Sequence, residues 1–503
     1  MTIAAPAEAT LINQKRTKAG FRRVLLLFAM VASLGIVCHL GLLLWAENSF
    51  TGPECVVAAQ AMMLAHDGTL YYDLNHYPYT VSAYTPVFYL LQAGLHKLGL
   101  PAYTAGRLIS FLALGGIVVL SRRLVLLYTR DLYCAWTATL LVGSSALLLS
   151  WGTVGQVDTL AAAWAIAAFY QYSRYAIRSQ KTLGWAAAFA LLAFFTKQTM
   201  LACPAAIFIL LWFQNRRTAI QFGGGLGTLV TVIALSINAA TGGRFLANTV
   251  FANLNPYSFD KLLQHLKFAV LSSGPLLLVA ALGARAAMRG AGRALFVYLA
   301  LALGVFILTA PKIGSDLNYQ MEFTILAIFC AVLSLDALNF FNLSFSGSRT
   351  WITLLQLPLG IFLVVNYRIT LQNAITRFSN EQLARSEIAR LRPWLADGGS
   401  ILSADYNAME RLRGRMDVEM LIYKLLVDAR LVNPEPVERD IAAARFSTIL
   451  LLEDVNHRDA EANVEISTLP VAQIEAIRRR YALVDRIPVP GVYVYKPVGW
   501  NVK

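Results

Sequence analysis

The sequence contains few charged residues. Only 14% of its 503 residues are charged, whereas 57% are hydrophobic and the mean hydropathy is +0.55. This composition excludes an ordinary soluble domain, whose surface requires more charge. It indicates that a lipid bilayer surrounds most of the chain.

The sequence is also poor in cysteine. Four of its five cysteines fall within long apolar runs: Cys38, Cys134, Cys203 and Cys330. Cys55 alone lies in a polar loop, so neither a disulfide framework nor a cysteine metal site is indicated. We also expect no cleavable signal peptide, because residues 2–20 are polar and the apolar run that follows is long enough to remain as an anchor.

Basic residues exceed acidic residues only in the first part of the chain. Before Arg368 there are 24 Lys and Arg against 11 Asp and Glu, and from Arg368 onward there are 19 against 18. No nucleic-acid-binding motif accompanies this excess. Basic cytoplasmic loops are typical of polytopic membrane proteins, so the charge indicates membrane orientation and no nucleic-acid partner.

Apolar runs of about the spanning length recur along this first part. They predict eleven transmembrane helices, at residues 24–46, 105–121, 132–150, 158–173, 182–196, 199–213, 219–240, 268–284, 294–310, 323–341 and 351–367. With the N-terminus inside, 17 of the 24 basic residues fall on the cytoplasmic side. We interpret residues 84–99 as an interfacial or re-entrant helix, because a span there would invert all later loops.

The predicted fold class is an α-helical polytopic membrane protein with a small α/β C-terminal domain. We predict a cytoplasmic tail at residues 1–23, a transmembrane domain at 24–367 and a soluble extracytoplasmic domain at 368–503, in the cell (inner) membrane. Within the last domain, alternation and propensity predict helices at residues 380–395 and 410–431 and strands at 400–403, 448–452 and 491–495.

Most acidic residues of the transmembrane part fall on its outer side. Eight of the 11 lie there: Glu47, Glu54, Asp67, Asp73, Asp158, Asp260, Asp316 and Glu322. Ionisable groups at the edge of hydrocarbon are costly and are functional candidates. We therefore expect any chemistry at the outer face.

The first outer loop, from Glu47 to Thr104, is the longest loop between spans, and loops of this length are usually functional. It contains Glu54, Asp73 and Tyr84. The apolar segment at residues 55–65 predicts an amphipathic helix in the membrane interface. Such a helix would hold the Glu54 carboxylate at its N-terminus.

Three further polar clusters share the outer side. Asp158 begins a span and is either its cap or a site residue. Lys197, followed by Gln198, sits at the tip of a short hairpin, where it either reaches the surface or binds an anion. Asn318, Tyr319 and Glu322 are one helical turn apart and are predicted to share a face.

Taken in order, these segments resemble the C-type membrane glycosyltransferases. The resemblance is strongest to the bacterial branch similar to protein O-mannosyltransferases and lipid A aminoarabinose transferases. It rests on Tyr84-Thr85-Pro86, the span begun by Arg107, Gly155-Gln156-Val157-Asp158, Thr196-Lys197-Gln198-Thr199 and the segment from Gly314 to Glu322.

The resemblance implies transfer of a sugar from a polyprenyl-phosphate donor to an extracytoplasmic glycan, lipid or protein acceptor, with inversion. The family's base is an early acid of the first loop, which implies Glu54 here, with Asp73 and Asp158 as further candidates. Lys197 and Arg107 are the implied cations for the donor phosphate.

The implied substrate-binding residues are Tyr84, Gln198, Asn318, Tyr319 and Glu322. Many relatives carry adjacent Asp-Glu in the first loop, whereas this chain has Pro53-Glu54. No metal ligand is assigned, and a divalent cation is the one cofactor that stays open.

Two other functions compete with this one. A transporter or flippase of lipid-linked saccharides would place charges at the midplane, in broken helices and inverted repeats. A noncatalytic assembly factor would leave Glu54 and Lys197 far apart.

The predicted orientation is testable with reporter fusions. Because basic loops stay inside, fusions after Arg123, Arg217 or Arg293 are expected to report a cytoplasmic location. Fusions after Asn255 and in the tail beyond Arg368 are expected to report the outer side. A cytoplasmic signal from the tail would contradict both the topology and the outer-face site.

Overall fold

The computed structural model describes residues 46–338, 349–396, 398–404, 417–457, 469–487 and 491–500. These residues form a helical bundle followed by a small domain with a four-stranded sheet. The predicted tail at residues 1–23 and the predicted first span, apart from Ala46, lie outside the described residues.

Apolar helices dominate the described part before Ser400. They are α1 (Gly52–Asp67), α2 (Val87–Lys97), α3 (Ala102–Thr129), α4 (Leu132–Gly143), α5 (Ala146–Trp151), α6 (Val157–Arg178), α7 (Leu183–Thr196), α8 (Ala202–Gln214), α9 (Arg216–Ala240), α10 (Arg244–Thr249), α11 (Phe259–Ala287), α12 (Arg293–Thr309), α13 (Met321–Ala337) and α14 (Arg349–Leu391).

The described parts of the ten later predicted spans fall mainly on these helices, with residues 132–150 divided between α4 and α5. Residues 339–341 of the predicted span 323–341 lie outside the described residues. Among the residues that the structure describes, four segments are long and apolar enough to cross a membrane: α3, α9, α11 and Leu317–Ala337, which includes α13. Large apolar side chains such as Leu112, Leu235 and Leu278 stay exposed on them, as a bilayer-facing surface requires. The chain is a polytopic membrane protein, and the count of eleven spans stays a prediction.

The first outer loop contains two helices. The amphipathic interfacial helix predicted at residues 55–65 is corrected: α1 is present, but Cys55, Ala58, Ala59 and Ala61 are all fully buried within the protein. Their small side chains allow neighbouring helices to pack closely on several sides. Helix α2 has 11 residues, about 16 Å, and is too short to span a bilayer.

Helix α14 runs without interruption over 43 residues. The predicted domain boundary at residues 367 and 368 therefore falls inside a helix, and no helix end marks it. The helix also covers most of the predicted helical stretch at 380–395, and the 3-10 helix Arg392–Leu395 completes it.

The described residues of the C-terminal domain from Ser400 onward form the strands β1 (Ser400–Ser403), β2 (Phe446–Leu451), β3 (Tyr481–Ile487) and β4 (Val492–Pro497) and three α-helices. The helices are α15 (Met420–Asp428), α16 (Glu435–Ala442) and α17 (Val471–Arg480). The sheet order is β1-β2-β4-β3, with β1 and β2 parallel and the other pairs antiparallel.

The three predicted strands correspond to β1, β2 and β4, whereas β3 was not predicted. Its pairing register shifts between Leu483 and Asp485, and this irregularity interrupts the alternation by which a strand is recognised.

The first outer loop is attached to the C-terminal domain by backbone pairing. Tyr79 N–H donates to Asp417 O at 2.8 Å, and Glu419 N–H donates to Tyr79 O at 3.0 Å. The Tyr79 ring is buried in the core of the C-terminal domain, and its hydroxyl donates to Asp440. The loop and the domain therefore share one hydrophobic core.

We predict that Tyr79→Ala loosens this attachment. Truncating a buried aromatic side chain typically costs about 3–5 kcal/mol, so the C-terminal domain is expected to be cleaved faster in limited proteolysis. Tyr257→Ala is the matched control, because that ring is 66% exposed. Equal protease resistance of the Tyr79 variant and the parent would contradict the shared core.

Candidate functional site

Asp158 lies in the first turn of α6 and is fully buried. Its Oδ1 accepts a hydrogen bond from Lys197 Nζ at 2.5 Å, and its Oδ2 accepts one from Asn318 Nδ2 at 2.9 Å. Gln156 is the N-cap residue of the helix. Both carboxylate oxygens thus bind side chains from other segments instead of capping α6.

Lys197 follows the last turn of α7 and is 1% exposed. Its Nζ lies 4.0 Å from the centre of the Tyr319 ring in addition to its ion pair with Asp158. It therefore points inward and does not reach the surface. The attraction within a buried ion pair often offsets only part of the free energy that desolvating both charges costs. Such a pair is therefore a functional candidate.

The face predicted for Asn318, Tyr319 and Glu322 is only partly formed. Asn318 and Tyr319 belong to the 3-10 helix Leu317–Gln320, which has about three residues per turn, and they meet Asp158 and Lys197. Glu322 lies in the first turn of α13 and accepts a hydrogen bond from the Tyr298 hydroxyl.

A cavity of about 210 Å³ lies beside Tyr319, and Tyr84 and Lys312 also line it. The C-terminal domain supplies one part of its wall: Glu419, Ile422 and Leu425. The cavity therefore lies where the bundle and the C-terminal domain meet.

Sequence reasoning assigned no role to Lys312. Its Nζ donates to Asn253 O at 2.7 Å, and burial together with the positive charge of Lys197 lowers the pKa of Lys312. Lys312 lines the cavity, and the repulsion between its ammonium group and that of Lys197 favours an anionic ligand near both. The sequence feature that could have identified Lys312 is its isolation from other basic residues, between Pro311 and Ile313. The same feature identified Lys197.

Glu54 and Arg107 form a second, fully buried ion pair, with Arg107 Nε 2.8 Å from Glu54 Oε1. Glu54 also accepts hydrogen bonds from Arg107 Nη2, Phe50 N and Gly155 N. Arg107 donates further to Ala46 O and to the backbone of the same loop. Both Glu54 oxygens are occupied, so its geometry is that of a structural ion pair, and its role as general base stays a prediction.

This ion pair supports the segment that carries Asp158. Glu54 holds Gly155, whose backbone lies so close to Gly106 that an added Cβ would be 3.2 Å from the Gly106 backbone. Arg377 of α14 binds Thr153 Oγ1 and Ser150 O, both at 2.9 Å. The turn before Asp158 is thus fixed from two sides.

The remaining predicted residues lie in different environments. Asp73 is on an exposed turn, where it accepts hydrogen bonds from Asn75 N and His76, and the Asn75 N–H is the main cause that lowers its pKa. Gln198 connects the first outer loop to the end of α10 by donating to Ala83 O and Thr249 O. The structure therefore brings Asp158, Lys197, Asn318 and Tyr319 together. Of the predicted residues, Tyr319 and Tyr84 line the cavity, and Asp73 does not.

Among the described residues, no group of three or more His, Cys, Asp or Glu side chains could hold a metal ion. The Asp158 oxygens are bound by Lys197 and Asn318. The residues of this site provide hydrogen bonds and positive charge.

No family model and no curated protein matches the sequence. Solved structures do match it. The crystal structure of ArnT from Cupriavidus metallidurans bound to undecaprenyl phosphate superimposes with a TM-score of 0.62 at 13% identity, covering 94% of this chain and 98% of that chain. The apo ArnT structure gives a TM-score of 0.63, with 95% and 98% coverage, also at 13% identity.

The Archaeoglobus fulgidus oligosaccharyltransferase tethered with an acceptor peptide superimposes with a TM-score of 0.52 at 13% identity. That match covers 95% of this chain and 74% of the oligosaccharyltransferase chain. At such identities the likeness concerns the fold, and it extends over nearly the whole chain. The resemblance seen in the sequence is confirmed at this level: the chain has the fold of the C-type (GT-C) membrane glycosyltransferases.

Proposed function

We propose that this protein transfers a sugar from a polyprenyl-phosphate donor to an acceptor on the outer side of the membrane. One observation carries the proposal: Lys197, in a buried ion pair with Asp158, lies over the ring of Tyr319. Tyr319 and Lys312 both line a cavity that the C-terminal domain walls in part. The shared fold supports the same class of reaction.

In this proposal the donor phosphate binds Lys197 and Lys312. A phosphate ester accepts charge-assisted hydrogen bonds from ammonium groups, and its charge removes the repulsion between the two lysines. Arg107, the other cation expected from the sequence, is less suited, because Glu54 and backbone carbonyls already occupy its guanidinium.

Asp158 is the proposed general base. An acceptor hydroxyl attacks the anomeric carbon, the bond from that carbon to the phosphate oxygen breaks, and polyprenyl phosphate leaves with the electron pair. The hydroxyl proton passes to Asp158, and a single displacement inverts the anomeric centre. Because a bound phosphate competes for Lys197, donor binding frees Asp158 Oδ1 to accept the hydroxyl proton.

The two domains contribute different residues to the cavity wall, and we propose that they bind different substrates. Tyr84, Tyr89 and Tyr319 line the bundle side, where aromatic rings can pack against a sugar ring. Ile422 and Leu425 line the side of the C-terminal domain. We propose that this side contacts the acceptor.

The roles of the two buried acids are separable by paired amide variants. Asp158→Asn is expected to lower kcat by about 100- to 10,000-fold, because a positioned base contributes about that much. Glu54→Gln leaves Arg107 buried without its counter-charge, so we expect a loss of about 3–5 kcal/mol of stability and a lower melting temperature.

Transfer from a polyprenyl-phosphate sugar by purified protein, with melting curves, measures both effects. Asp67→Asn, an exposed acid of the same loop, is the control. Parental turnover by folded Asp158→Asn protein would overturn its role. A Glu54→Gln protein that melts like the parent yet is inactive would restore Glu54 as the base.

The two lysines are expected to act on donor affinity. Lys312→Met should raise the KM for the donor about 10- to 100-fold, since a hydrogen bond to a charged group contributes about 1.5–3 kcal/mol. Lys197→Ala should weaken binding strongly, and Lys197→Arg should restore part of it, because the charge is kept and the geometry is not.

Polyprenyl phosphate titrated into the purified variants measures affinity without turnover. Lys97→Met removes an exposed lysine of α2 and is the control. Parental affinity in both Lys197→Ala and Lys312→Met would exclude these lysines as the phosphate site.

A further inference from the structure

A groove of about 550 Å³ runs between α3 and α6 on the surface of the bundle. On both helices the residues that line the groove are mostly three or four positions apart, from Ile109 to Arg123 on α3 and from Leu160 to Arg174 on α6. We propose that this α3/α6 groove binds an anionic phospholipid, with an acyl chain along the groove and the headgroup phosphate between Arg123 and Arg174. The proposal is independent of the sugar transfer.

The groove is on the opposite side of both helices from the candidate site. At 3.6 residues per turn, Gly116 lies about 180° around α3 from Arg107, and Leu160 lies about 160° around α6 from Asp158. Arg107 also binds Ala46, where the described chain begins.

The shape of the groove fits a hydrocarbon chain. From Ile109 to Arg123 it extends about 21 Å along the helix axis, within the roughly 30 Å of a bilayer core. Small residues form its floor, including Gly116, Ala163 and Ala167. Open space surrounds the position that a Gly116 side chain would take.

The charge at one end fits an anionic headgroup. Arg123 and Arg174 lie just beyond the predicted spans 105–121 and 158–173, at the level of lipid headgroups on the side predicted to be cytoplasmic. Gln171 and Gln180 hold the Arg174 guanidinium through their side-chain oxygens, while Arg123 is exposed. No acidic residue is among the described residues that line the groove. Basic pockets between spans on this side are typical sites for anionic lipids.

Native mass spectrometry of the full-length protein tests the proposal with two lipids of equal chain length, phosphatidylglycerol and phosphatidylcholine. The parent is expected to retain phosphatidylglycerol preferentially. Changing both Arg123→Gln and Arg174→Gln should weaken phosphatidylglycerol binding by about 30-fold, because each surface cation contributes about fivefold. Phosphatidylcholine binding should change little.

Gly116→Leu fills the groove without touching the arginines and should reduce retention of both lipids. Arg289→Gln, an exposed arginine of another predicted cytoplasmic loop, is the control and should bind like the parent. Melting curves verify that each variant is folded. Parental preference for phosphatidylglycerol in the double arginine variant, or parental retention of both lipids in Gly116→Leu, would overturn the proposal.

Discussion

The buried ion pair between Glu54 and Arg107 connects three separate parts of the molecule. Arg107 ties the start of the first outer loop to α3 through Ala46 O, and Glu54 ties α1 to the turn at Gly155. Two opposite charges without solvent tolerate little displacement, since losing either partner leaves an uncompensated charge. The position of Asp158, three residues after Gly155, depends on this rigid connection.

The Asp158 and Lys197 pair is of a different kind. Lys197 lies over the ring of Tyr319, which lines the cavity together with Lys312. The first ion pair positions the backbone, whereas the second, in our proposal, exchanges partners when the donor binds. In this proposal one buried ion pair provides rigidity and the other takes part in the chemistry.

The sequence predicted well those elements that depend on the length of an apolar run or on the alternation of apolar and polar residues. Spans, the short helix after Pro86 and the strands β1, β2 and β4 follow from run length and alternation, and the lone charges of Asp158 and Lys197 indicated the site. The sequence predicted less well the burial and the partners of residues whose environment depends on packing between distant segments. The helix that begins near Glu54 was expected to lie in the membrane interface, but it is buried among its neighbours. No local pattern in the sequence indicates that Arg107 is the partner of Glu54.

Helix α14 has a consequence for how this architecture tolerates change. At 1.5 Å per residue its 43 residues extend about 65 Å, from the bundle to the edge of the C-terminal sheet, and side chains along it bind the outer loops at Arg377 and Glu381. One residue inserted into it would turn everything beyond by about 100° and advance it by about 1.5 Å. Exchange of the C-terminal domain between related proteins is therefore restricted to partners that preserve the length of this helix, so the helical bundle and the C-terminal domain must change together in evolution.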